Sequence, residues 1–113
     1  MGRWGYAPHD SDHALDLFDE AQHGAEDRFA KKWPKWRGQT DSNLVDRAGA
    51  LTHALMEGWS VPLLCVVQAR NDLDNVLARD EWAGSCREPW LARKSLKLWT
   101  AALSDLAKKW REL

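Results

Sequence analysis

Between Pro89 and Leu113 the apolar residues Ala92, Leu96, Trp99, Leu103, Leu106, Trp110 and Leu113 recur at alternating steps of four and three. Side chains at that period line one stripe of an α-helix and cannot share one face of a strand. Lys94, Lys97, Thr100, Ser104, Lys108 and Arg111 fall off the stripe. Pro89 suits the first helical turn, where its missing N–H has no partner to lose. Ser85 and Glu88 stand just before it at capping-box spacing. Such a helix is roughly 37 Å long. The rest of a short chain has to be built so as to cover its stripe.

The remaining punctuation agrees with a helical reading. A short non-helical lead, broken by Gly2, Gly5 and Pro8, runs to His9, and Trp4 and Tyr6 are expected to pin it onto the helices. Asp10 to Asp12 are good N-cap residues for a first helix with Ala14, Leu15, Phe18, Ala21 and Ala25 on its stripe. Gly24 kinks or splits that helix, and Pro34 ends it after Trp33. A loop over Pro34 to Thr40 leads to a second helix, about Ser42 to Glu57, with Asp41 as N-cap and Gly58 as C-cap. The next helix spans about Val61 to Asp80, and its apolar first turns mark it as the most central element. Glu81 to Cys86 reads as a connection. The expected fold is therefore all-α: one domain over residues 1–113, a compact bundle of four to five helices with a short non-helical N-terminal lead. The last helix is expected to pack on the two before it.

Charge is laid down in blocks. Residues 1–30 carry a net −5, residues 31–37 a net +4, residues 38–80 a net −3 and residues 81–113 a net +3. A total near zero argues against a general nucleic-acid coat, so nucleic acid is an unlikely partner. Eight tryptophans in 113 residues mean that part of the core, or of an interface, is built from indoles. Cys65 and Cys86 lack metal or disulfide spacing, there is no apolar leader, and no run is long enough to cross a membrane. These features fit a cytoplasmic protein, monomer or homodimer, that neither spans nor binds a membrane.

Three groups of residues compete as functional candidates. His9, Asp10, Asp12, His13 and His23 carry metal-ligand chemistry. Asp12, Asp16 and His23, however, point away from the Phe18 stripe, and no second Glu-x-x-His supplies a di-metal set, so a solvated acidic face is the simpler account. His53 lies off the apolar stripe of its helix, one turn from Glu57, and reads as a surface histidine paired with a carboxylate. The run Lys31-Lys32-Trp33-Pro34-Lys35-Trp36-Arg37 mixes cations with indoles. Lys32, Trp33, Lys35, Trp36 and Arg37 form a candidate partner-binding site, because tryptophan and arginine dominate protein hot spots. The same mixture suits single-stranded nucleic acid. Alternatively the two rings pack inward while the bases serve a helix end. No catalytic set and no phosphate loop are present, and no cofactor is expected.

The opening Met1, Gly2, Trp4, Gly5, Pro8, Asp12, Ala14, Leu15 and Asp16 resembles the start of an uncharacterised bacterial family, the domain of unknown function numbered 4259. Tyr6 lies within this motif, and Ala7 and His9 depart from it. The resemblance covers about sixteen residues. It implies a small, mostly helical bacterial cytoplasmic protein without an assigned activity. It also implies that His9 stands where an apolar ring is usual, so a metal cluster there would not be a family trait. The function expected from all of this is a small non-enzymatic protein-binding domain, of the immunity, anti-defence or inhibitor kind, from a bacterium or phage. A metal-dependent enzyme or metal-binding protein using the His/Asp cluster, and a weak single-stranded nucleic-acid binder, are the alternatives.

Overall fold

From Leu44 to Thr52 the third helix is buried on every side, and Ala54 continues the run. A helix enclosed all round is the centre of a bundle. The computed structural model of the chain describes residues 5–22 and 25–111, with side chains described at 5–21 and 29–110. Its helices are α1 (Asp12–Gln22), α2 (Ala25–Lys32), α3 (Asp41–Met56), α4 (Leu63–Arg79), α5 (Glu81–Ser85) and α6 (Pro89–Arg111). A 3₁₀ turn, Trp33–Arg37, follows α2. No strand occurs among the described residues. The all-α bundle with a non-helical lead is thus the architecture, with more pieces than the four or five expected. Among the described residues the expected first helix is represented by α1 and α2, and α5 occupies what read as a connection.

The central element is α3, not α4 as the apolar run after Pro62 suggested. α1 and α4 both pack on α3, and α6 packs on α4 with α5 alongside. The outer turns of α4 show why its sequence misled: Leu64 is 65% exposed. Ala92, Leu96 and Leu103 of the α6 stripe are buried, and Trp99, Leu106 and Trp110 are half-buried. Thr100 and Ala107, beside the stripe, are buried as well, which widens the covered face. α3 is not among the principal neighbours of α6. Leu113, the last position of the stripe, lies outside the described residues.

The ends of the helices follow local chemistry. Thr40, rather than Asp41, caps α3: its Oγ1 accepts from the Asn43 backbone N–H at 3.1 Å, and Asn43 Oδ1 accepts from the Thr40 N–H at 3.2 Å. α3 closes with the Gly58 N–H on Leu55 O and the Trp59 N–H on Ala54 O, both at 3.0 Å. That double bond pattern needs a left-handed residue at its centre, and Gly58 supplies it with φ +80°. Trp59 is thereby turned back against Phe18, ring centroids 4.8 Å apart. Asp80 ends α4 in the same left-handed region, φ 58°. The expected Ser85–Glu88 box does not form. Ser85 belongs to α5 and donates to Trp82 O, while the Glu88 N–H donates to the Tyr6 hydroxyl at 3.0 Å.

Tyr6 does pin the lead, since its carbonyl also accepts from Ser95 Oγ at 2.8 Å. Gly49 lets the lead come close. A Cβ there would collide with the Pro8 carbonyl and with Ala14. A glycine in the middle of an apolar helix is explained by this contact between α3, the lead and α1.

Candidate functional site

Arg47 stands three residues after Leu44 and four before Leu51, in phase with the buried stripe of α3. Its side chain is only 5% exposed. A charge so placed has to be matched, since an unpaired buried ion costs several kcal/mol. Nη2 donates to Asp72 Oδ2 at 2.6 Å, and Nη1 donates to the Trp33 carbonyl at 3.2 Å. The guanidinium also lies 4.2 Å from the centroid of the Trp33 ring, a cation–π stack. Its Nε–H is buried without an acceptor among the described residues.

Around this group is a cleft of about 410 Å³. One wall comes from α4, where Leu64, Gln68 and Asp72 repeat every four residues and Cys65 sits beside them. The other comes from Trp33, Pro34 and Arg37 of the 3₁₀ turn. That turn forms because Pro34 has no N–H to continue α2, yet fits the first turn of a new helical segment. Trp33 Nε1–H donates to Gln68 Oε1 at 2.7 Å and ties the walls together. Burial pushes the Cys65 thiol up to about 11, against a smaller opposing pull from Arg47. Cys65 is therefore a neutral wall and not a nucleophile at neutral pH.

Trp33 and Trp36, candidates for an exposed docking surface, are turned inward at 3% and 7% exposure. They stack around Phe29, at 5.7 Å and 5.3 Å between ring centroids. Trp36 Nε1–H donates to Glu20 at 3.1 Å. Two buried rings cannot serve as a stacking platform for nucleobases. The cations of the same run stay outside: Lys31, Lys35 and Arg37 are exposed, and Lys32 lies 3.9 Å from Glu20. Among the described indoles Trp90 is the most open, at 64%. Trp4 and His23 lie outside the described residues.

The His/Asp cluster separates into helix-cap chemistry. Ser11 Oγ accepts from the Ala14 N–H at 2.9 Å and donates to Asp46 Oδ1 at 2.8 Å. His13 Nδ1 meets the other oxygen of Asp46 at 2.9 Å. Here the carboxylate lies between serine and histidine. A nucleophilic triad needs the imidazole in that middle position. His9 lies 3.5 Å from Asp10. Asp12 and Asp16 are exposed on α1, Gly5 approaches the Asp10 carboxylate, and Pro8 is buried. Among the described residues no three His, Cys, Asp or Glu side chains gather as a metal would require. His53, expected on the surface beside Glu57, instead meets the His9 carbonyl at 3.1 Å. Its ring sits 5.7 Å from both His9 and Phe18.

Asp46, Arg47, Gln68 and Asp72 were not candidates in the sequence. Arg47 had a visible signal, a charge in phase with Leu44 and Leu51. Gln68 and Asp72, four apart and in step with Leu64, had a fainter one. Asp46 had none, because its side of α3 reads as solvent-facing until the lead is laid over it.

No described helix is long and apolar enough to cross a membrane. No family model matches the chain, and no curated protein or solved structure is similar to it.

Proposed function

We propose that the chain is a non-enzymatic protein-binding domain, of the inhibitor or immunity kind, that docks an acidic partner at the corner formed by the 3₁₀ turn and the start of α4. The observation that carries the reading is a juxtaposition. The exposed cation Arg37 and the exposed Leu64 border a cleft lined by a buried, stacked arginine, and the exposed Lys35 belongs to the same 3₁₀ turn as Arg37. Arginine and tryptophan are enriched in hot spots, and Trp33, Arg37 and Arg47 all line this cleft. A cationic rim steers an acidic partner and rejects a basic one. The polar side chains elsewhere, Ser11, His13 and Asp46, are occupied in holding the lead and α1 onto α3.

The test is site-specific photocrosslinking in lysate of the native host. A crosslinker at position 64 should give one discrete heavier adduct, lost in high salt, while one at Ala101 on α6 gives none. No adduct from position 64, or the same adducts from both positions, would overturn the proposal.

A further inference from the structure

We infer that the cleft receives the free C-terminal carboxylate of an apolar residue, carried at the end of an acidic segment of the partner. This rests on the docking reading above and names what enters the cleft.

The polar lining is rich in donors. The indole N–H of Trp33 occupies Gln68 Oε1, which fixes the amide with its NH₂ end left to donate. Arg37 brings further N–H groups to the same cleft. The one carboxylate among the described lining residues, Asp72, is engaged by Arg47 at 2.6 Å. These two charges cancel, and Arg37 leaves the described lining net positive. Such a site favours an anionic acceptor, and a carboxylate suits a guanidinium better than a single point charge would.

The remaining walls are apolar. Trp33, Pro34, Pro62 and Leu64 line the space, and the Cys65 thiol is uncharged there. At about 410 Å³ the volume lies at the lower end of the roughly 300–1,000 Å³ of small-ligand sites. The occupant therefore carries its carboxylate and its apolar group close together. An internal acidic residue next to an apolar one fails this requirement in an extended chain, because successive side chains point to opposite faces. A C-terminal apolar residue meets it, with both groups on one Cα.

The experiment is calorimetric titration of the full chain with three probes: acetyl-Asp-Glu-Leu as free acid, the same peptide as C-terminal amide, and phenylacetate. The free acid should bind with a Kd of about 1 mM or tighter, and the amide about tenfold more weakly or worse. Arg37→Ala should weaken the free acid about tenfold. Gln68→Glu keeps an acceptor for Trp33 but removes the NH₂ donor and adds a like charge, and it should weaken binding at least as much. Equal binding of acid and amide, or no heat at millimolar probe, would overturn the inference. Tighter binding of phenylacetate than of the peptide would overturn the partner-borne version in favour of a free organic acid. If the adduct from position 64 persists unchanged in Gln68→Glu, docking stands and the C-terminal anchor falls. If wild type gives no adduct, docking itself falls.

Discussion

Asp46 and Arg47 are adjacent on α3, both charged and both buried, yet they face different surroundings. Asp46 is enclosed by the lead and the start of α1, where Ser11 and His13 take its two oxygens. Arg47 faces a cleft, with a stacked ring and one carboxylate but an Nε–H left over. The comparison separates two uses of buried polarity. On one side it closes a seam, and neighbours from the lead and α1 are bonded to it. On the other it lies at the edge of a cleft, matched by a ring and one carboxylate, with its Nε–H buried and without an acceptor among the described residues. A binding site is more reasonably sought where a buried charge is incompletely matched than where it is closed in.

The largest expected effect tests the Arg47 side. Arg47→Ala removes the partner of Asp72 and the stack on Trp33, and should cost about 3–5 kcal/mol of unfolding free energy, read from the urea midpoint. A loss under about 1 kcal/mol would mean that the pair contributes little and that the cleft is looser than its geometry implies. Next comes Gly49→Ala on the Asp46 side. The new methyl group meets backbone rather than a flexible side chain, so a loss of about 1–3 kcal/mol or more is expected, with loosening of the lead seen as increased amide exchange near Pro8.

Asp46→Ala strands the buried Ser11 hydroxyl, while the exposed edge of His13 can turn to water. A cost of about 1–3 kcal/mol is expected, below that of Arg47→Ala. If the order were reversed, the contrast between the two sides would fail. Ser11→Ala sharpens the seam further. It deletes both the α1 cap bond to Ala14 and the donor to Asp46 Oδ1, and about 1–2 kcal/mol should be lost with the cleft unaffected.

The smallest effect belongs to the Arg93–Asp80 pair, which serves as an exposed reference. Its two bonds, 2.7 Å and 2.8 Å, hold the Asp80 carboxyl below its ordinary value, chiefly through the hydrogen bonds from Arg93. The folded value is lower than the unfolded one, so the contribution is complete above the ordinary aspartate range. It fades as pH falls below about 4. Arg93→Gln should therefore lower Tm slightly at pH 7 and by less at pH 3. A gap of undiminished size at pH 3 would assign the effect to packing of the arginine stem instead.

How much of this was legible varies with the range of the interaction. The α6 stripe, the Gly58 stop and the break at Pro34 were readable because period and turn chemistry act within a few residues. The Thr40 cap was missed by one residue, because Thr40 and Asp41 are both good caps and only the Asn43 side chain selects between them. α5 was missed because five residues carry too little period to show. At the site, the basic and indole run was legible as a place but not as a geometry. Its sequence does not say whether Trp33 and Trp36 face inward, and it is Phe29, Glu20, Gln68 and Arg47 that draw them in.

The chain by itself determined that it would be helical, roughly where the long helices lie, and that a positively charged corner follows the first of them. Those properties depend on neighbours three and four residues away, which every segment carries in its own order of residues. Only the tertiary structure decided that α3 is the centre, that Gly49 admits the lead, and that Arg47 meets Asp72 across the foot of a cleft. Each of these joins groups far apart in the chain, and burial makes such a pairing costly to leave unmade. No local pattern contains that requirement until the helices are packed.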